Sequence, residues 1–256
     1  MNRVFFIGAG PGAPDLLTVR GLNALSQCSV VYALPPYDEA FGPLLAGKTV
    51  FNPFDYYFAE LLQQVEVQLR ANSVAFLVPG DQTFLCPFHG IVDFFADRAD
   101  VIPGVGVVNA ASATLKKSFD LPSVCQRTML VSPRVLAERG ELDQLPSLLG
   151  PEVTVLLYLN HLPLVELAAL LRRGFGENVP LGTFYRLGLE DQDVVLTTLD
   201  DVLCQADEVS RFILKSETDG RSSSLLFYAA GHSLTAKDDG EHWDRRRART
   251  NKAKGD

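Results

Sequence analysis

The apolar run Val4-Phe5-Phe6-Ile7 stops abruptly at Gly8-Ala9-Gly10-Pro11-Gly12-Ala13-Pro14, and an apolar-periodic stretch begins after Asp15. Branched and aromatic residues suit a strand. Glycine and proline end it in a loop with unusual backbone angles and room for close approach of another main chain. Asp15 is a good N-cap for a helix predicted over 15–26. A strand, a tight glycine loop and a helix in immediate succession commit the chain to layered α/β packing.

Gly8, Gly10 and Ala13 satisfy the G-x-G-x-x-G/A spacing of a dinucleotide site. Such a site needs free N–H groups at the helix start, and Pro11 and Pro14 remove two of them. It also needs an acidic residue closing the second strand. Here Cys28-Ser29-Val30-Val31-Tyr32 runs on into Ala33-Leu34, and Asp38 follows only after Pro35-Pro36. The loop is therefore read against a nicotinamide or flavin.

Apolar runs and helical periodicities alternate along most of the chain. Strands are predicted at 3–8, 28–33, 73–79, 100–102, 128–131, 153–159, 181–185, 193–197 and 224–230. Helices are predicted at 15–26, 58–71, 88–97, 107–118 and 162–173. In 58–71, Leu61, Leu62, Val65 and Leu69 fall on one helical face. The order predicts two α/β domains, with a mostly parallel sheet in the first and a mixed sheet in the second. Phe119-Asp120-Leu121-Pro122-Ser123 breaks the pattern, so the domains are placed at 1–121 and 122–235, with 236–256 as a disordered tail.

The 256 residues are 47% hydrophobic and carry a net charge of −8, enough for a real core. Residues 237–256 hold seven Lys/Arg and five Asp/Glu, leaving a strongly acidic body that argues against a nucleic-acid partner. The chain contains no run of about 18 apolar residues and no charged-then-apolar leader, so no membrane segment is expected. Four cysteines without C-x-x-C spacing read as free thiols in a reducing cytoplasm. The four histidines show no ligand spacing, and no metal is expected.

Three predicted loops follow strands directly: the opening loop, Val78-Pro79-Gly80-Asp81-Gln82-Thr83-Phe84, and Val101-Ile102-Pro103-Gly104-Val105-Gly106. In a parallel sheet they meet at the carboxyl edge, where ligands bind. They carry no Ser/His/Asp set, paired carboxylates or Cys/His couple. Such a cleft would act by positioning rather than by acid–base chemistry.

Gly8-Ala9-Gly10-Pro11-Gly12-Ala13-Pro14-Asp15-Leu16-Leu17-Thr18-Val19-Arg20-Gly21 resembles the opening signature of the tetrapyrrole (corrin/porphyrin) methylases. The Gly80-Asp81 loop and Pro103-Gly104-Val105 follow in the family's order. Phe184-Tyr185-Arg186-Leu187-Gly188-Leu189-Glu190-Asp191-Gln192 and Val194–Asp201 resemble a corrin-methylating branch. The resemblance runs from about residue 3 to about 234. It implies a homodimeric S-adenosylmethionine-dependent methyltransferase acting on a tetrapyrrole, with the cofactor in a cleft between two α/β domains. By position it implies cofactor contacts at Pro11, Gly80, Asp81, Phe84, Gly106, Val107, Leu159 and Leu187. The substrate lies by the glycine loop at Gly10 and Gly12. Its carboxylates call for cations, for which Arg20 and Arg127, then Lys116, Lys117 and Arg134, are the candidates.

The second loop, Gln82-Thr83-Phe84-Leu85-Cys86, departs from the family's usual G-D-P and tyrosine–glycine pattern, and Gly106-Val107 replaces a small hydroxyl residue and alanine. Ala33 stands where a sibling branch has an aspartate, so no catalytic base is carried over. Two other readings stay open on these residues: the same fold methylating a non-tetrapyrrole, or a binding module without turnover.

Overall fold

Each strand predicted from the sequence is present, and Thr49–Phe51 adds one. The computed structural model describes residues 2–84, 86–219, 225–238 and 240–252. Ser224, the start of the last predicted strand, lies outside them. The chain divides into two units, Met1–Ala110 with Arg186–Gln192, and Ala111–Tyr185 with Asp193–Asp256.

In unit 1, β1 (Val4–Gly8), β2 (Val30–Ala33), β3 (Thr49–Phe51), β4 (Val74–Val78) and β5 (Ala99–Ile102) form a wholly parallel sheet in the order β3-β2-β4-β1-β5. Its helices are α1 (Val19–Ser26), α2 (Tyr37–Ala40), α3 (Gly42–Leu45), α4 (Phe58–Leu69) and α5 (His89–Phe95), with α6 (Val107–Leu115) beginning in it. Successive strand residues face opposite sides. Val4 and Phe6 pack with Leu61, Val65 and Leu69 of α4 and Ile91 and Phe95 of α5. Ile7 lies on the other side against α1, so close that a Cβ on Gly21 would come within 2.8 Å of its Cγ2.

The connection from β1 to β2 passes β4, and that from β4 to β5 passes β1. The loops leaving these neighbouring strands therefore diverge to opposite faces, which makes their carboxyl ends a topological switch point.

The first helix starts later than its sequence predicts. Pro14–Leu16 makes one 3-10 turn, Leu17 and Thr18 are extended at ψ 132° and 150°, and Thr18 Oγ1 then caps α1 by accepting from Gly21 N. Thr18 takes the capping role predicted for Asp15, because the extended pair breaks the helix before it can propagate.

In unit 2, β6 (Arg127–Val131), β7 (Val153–Leu157), β8 (Pro180–Tyr185), β9 (Asp193–Thr198) and β10 (Leu226–Ala230) form a mixed sheet in the order β6-β7-β10-β8-β9. β6 and β7 are parallel, β10 runs antiparallel to β7 and β8, and β9 runs antiparallel to β8. β6, β7 and β8 thus share one direction, and the segments following them leave the same edge. The helices are α7 (Pro133–Glu138), α8 (Leu164–Phe175), α9 (Leu199–Leu203), α10 (Asp207–Asp219) and α11 (Glu241–Lys252). Leu167, Leu171 and Phe175 of α8 and Val209 and Phe212 of α10 close the core over Val155, Leu157, Leu181 and Tyr228. Gly176, left-handed at φ 73°, ends α8.

The division falls inside α6, earlier than the boundary predicted at 121/122. Residues 111–121 are bonded into unit 2: Thr128 Oγ1 donates to Phe119 O at 3.1 Å, and Lys117 Nζ to Ala236 O at 2.7 Å. The segment read as a disordered tail contains α11, whose side chains from Glu241 to Arg249 are all exposed. Leu171 is fully buried in the unit 2 core. Leu171→Ala is expected to lower unfolding free energy by about 2–5 kcal/mol, measured by denaturant titration.

Candidate functional site

Three glycines, one from each predicted loop, touch one another at the switch point of unit 1. A Cβ on Gly8 would lie 2.4 Å from Gly104 N, and one on Gly104 would lie 2.4 Å from Gly80 O. No side chain fits at these contacts. The first two loops are also zipped together: Ala9 N donates to Val78 O at 2.8 Å, Gly10 N to Gly80 O at 3.0 Å, and Gly80 N to Gly10 O at 2.8 Å. Gly10 at φ 75° and Gly80 at φ 67° take left-handed angles that glycine adopts at no steric cost.

Asp81 locks the third loop onto the second. Its Oδ2 accepts from Gly104 N at 2.7 Å, and its Oδ1 accepts from Thr83 N at 2.8 Å and from Thr83 Oγ1. Burial pushes the Asp81 pKa up, but the hydrogen bonds from Thr83 and Gly104 outweigh it and hold the carboxyl below its ordinary range. Further along this loop, burial pushes the Cys86 thiol up to about 11. It stays protonated and donates to Gln82 Oε1 at 2.8 Å. Gln82 is buried, and its Nε2 has no partner among the described residues.

A fourth segment, Arg186–Gln192, completes the junction. It leaves β8, belongs to unit 1, and packs on the glycine loop: a Cβ on Gly12 would lie 2.6 Å from Leu189 Cγ, and one on Gly188 3.1 Å from Pro11 Cγ. The segment is closed on itself by Gly188 N to Gln192 Oε1 at 3.0 Å and Arg186 Nε to Asp191 Oδ1 at 2.7 Å. Arg186 at φ 48° and Leu159 at φ 46° are non-glycine residues in the left-handed region, each just past the end of a unit 2 strand. Such strain persists only where the surroundings enforce it, and it clusters at functional sites.

The structure therefore brings together Gly10, Pro11, Gly12, Gly80, Asp81 and Leu187 of the predicted set. Gly106 O starts α6 by accepting from Asn109 N and Ala110 N, which puts Val107 in the first helical turn after the third loop. Phe84 stands on the second loop, 61% exposed. Arg20 is exposed on α1 and lines a hollow of about 500 Å³ walled by α1 and β5. Leu159 and Arg127 belong to unit 2, Arg127 exposed on edge strand β6.

Sequence reasoning missed Gly8 and Gly104 as site residues, although both stand in the loops it singled out. It also missed Tyr37, which sits in no motif and is 2% exposed, with its hydroxyl donating to Pro11 O at 3.2 Å. Among the described residues, no group of three or more His, Cys, Asp or Glu could hold a metal ion, and no helix is long and apolar enough to cross a membrane.

Residues 3–203 match the Tetrapyrrole (Corrin/Porphyrin) Methylases, and the chain belongs to this family of methyltransferases. It is 29% identical to the precorrin-4 C(11)-methyltransferase of Pseudomonas aeruginosa over 208 residues, covering 78% of this chain and 82% of that protein. The fold is that of a crystallised cobalt precorrin-4 methyltransferase, with a TM-score of 0.74 and 23% identity over 91% of this chain and 96% of the other. It is also that of the Thermus thermophilus uroporphyrin-III C-methyl transferase, solved with S-adenosyl homocysteine, with a TM-score of 0.65 and 21% identity over 91% of this chain and 99% of that one.

Gly104→Ala forces a Cβ into main chain. It is expected to cost at least about 3 kcal/mol, read as a lowered denaturation midpoint. Asp81→Ala is expected to cost about 2 kcal/mol at neutral pH. A carboxyl whose folded pKa is depressed stabilises above its unfolded value of about 3.9 and loses that contribution as pH falls through the folded value. Stability curves of wild type and Asp81→Ala should therefore converge in acid.

Proposed function

We propose that this methyltransferase takes its methyl group from S-adenosylmethionine and places it on a ring carbon of a corrin precursor of the precorrin-4 type, in cobalamin biosynthesis. The observation that carries the reading is the contact of Gly8, Gly80 and Gly104, joined by Asp81 and backed by Arg186–Gln192. It presents peptide groups and apolar side chains where a phosphate site would present a helix N-terminus. Here α1 begins only at Val19, after the 3-10 turn and two extended residues. A wall of that kind suits a donor whose reactive end is a sulfonium. The fold shared with a protein solved with S-adenosyl homocysteine supports the donor. The names of the relatives support the acceptor.

When bound, S-adenosylmethionine supplies an electrophilic methyl, and a ring carbon conjugated to nitrogen is a ready nucleophile. What remains for the protein is to hold the reacting atoms about 3–3.5 Å apart and in line, away from water. Pro11, Gly80, Asp81, Phe84, Gly106, Val107, Leu159 and Leu187 are the proposed cofactor contacts, made largely through main chain. Asp81 has its carboxylate oxygens engaged by Gly104 and Thr83, so its side chain holds the wall rather than the ligand. Gly10 and Gly12 are the proposed macrocycle contacts. The exposed guanidiniums of Arg20 and Arg127 are the proposed partners for its carboxylates. The active form is proposed to be a homodimer in the cytoplasm, where the free cysteines Cys28, Cys86, Cys125 and Cys204 would stay reduced.

Titration calorimetry with S-adenosylhomocysteine is expected to give one site per chain, and light scattering the mass of two chains. Incubation of precorrin-4 with S-adenosylmethionine should yield product heavier by one methylene. Absence of S-adenosylhomocysteine binding at millimolar concentration would overturn the donor; binding without methyl transfer would overturn the acceptor.

A further inference from the structure

Tyr37 ties the glycine loop to its surroundings in a way that no motif announces. Its backbone is anchored at the start of α2, where its N–H donates to Leu34 O at 2.7 Å, and its ring stacks on Phe41 at 6.3 Å between centroids. The hydroxyl therefore sits on a rigid arm. It donates to the Pro11 carbonyl at 3.2 Å, bridging 26 residues of chain. Burial pushes the phenol pKa up, only partly offset by the positive charge of nearby Arg186. The group stays a neutral donor across any working pH.

Pro11 has no N–H to anchor it. Its ring packs against Gly188, and the next residue, Gly12, packs against Leu189. The Pro11 carbonyl is thus held on one side by Tyr37, while its ring meets the Arg186–Gln192 segment on the other. Gly12 at φ 151°, Arg186 at φ 48° and Gly188 at φ 84° leave both segments in conformations that local preferences do not enforce.

We propose that Tyr37 is a positioning residue for methyl transfer: its hydroxyl fixes the Pro11 carbonyl and, through Pro11, the spacing between the glycine loop and the Arg186–Gln192 segment. The inference rests on reading that junction as the methyl-transfer site. A bond of this kind acts on the alignment of reactants rather than on their affinity, because near-attack geometry is far more sensitive to small displacements than binding is.

Tyr37→Phe removes one oxygen and keeps the ring. Turnover of precorrin-4 should fall about tenfold while the S-adenosylhomocysteine dissociation constant holds nearly constant, and the unfolding midpoint should drop only by what one lost buried hydrogen bond costs. Amide exchange should quicken in residues 8–13 and 187–192 together. Phe41→Leu loosens the stacked neighbour but leaves the hydroxyl, so it should lower the unfolding midpoint with turnover within about twofold of wild type. Unchanged turnover in Tyr37→Phe overturns the proposal. So does loss of affinity in parallel with turnover, or an equal loss of turnover in Phe41→Leu. Wild-type protein that fails to bind S-adenosylhomocysteine defeats the functional reading instead, a result separate from all of these.

Discussion

Two peptide backbones can approach to within the width of a methyl group only where neither carries a Cβ in the gap. Unit 1 applies this condition at Gly8 and Gly104, where three loops meet. Gly8 ends β1, Gly80 follows β4, and Gly104 lies just beyond β5. Their mutual contacts leave no room for a side chain on Gly8 or Gly104, and Gly80, whose carbonyl meets both, takes a left-handed φ of 67° that favours glycine. The loops leaving three neighbouring strands are therefore joined as one main-chain surface. The carboxylate of Asp81 stitches the second loop to the third, and the paired Gly10 and Gly80 amides stitch the first to the second. Hydrogen bonds from neighbouring N–H and O–H groups, rather than a cation, keep that carboxylate charged.

The arrangement accounts for the proline content of the first loop. A phosphate cradle needs free amide donors and a helix that begins at once. Here Pro11 and Pro14 withhold donors and the helix is postponed, which removes anion affinity while keeping a stiff wall. Stiffness is what methyl transfer asks of a protein when both reactants are already activated, since the catalytic contribution is then alignment. The strained backbone at Leu159 and Arg186 follows the same logic, because unfavourable angles survive only where packing holds them.

Much of the fold was legible because its strands are apolar runs bounded by glycine and proline. β3, only Thr49–Phe51, was missed because a run of three residues, two of them exposed, is too short to show a period. The start of α1 was misread because a good N-cap residue, Asp15, precedes a better-placed one, Thr18. Only the extended angles of Leu17 and Thr18 decide between them. The loop residues around Gly80 and Gly104 were legible as a set. Arg20 matched a motif position, and only the structure shows the hollow between α1 and β5 that it lines. Tyr37 was invisible in sequence, since what matters is its reach to a carbonyl 26 residues away.

What the sequence by itself determined is the class of architecture and the location of its special backbone. Strand, helix and turn preferences are local, and the glycine–proline loops announce themselves through local sterics alone. What only the tertiary structure decided is which glycines touch, which carboxylate is spent on the wall, and that a tyrosine from the second βα connection and the segment after β8 complete the first loop. These are contacts between residues far apart in the chain. They depend on strand order and on the faces to which the helices turn, and no local preference encodes either.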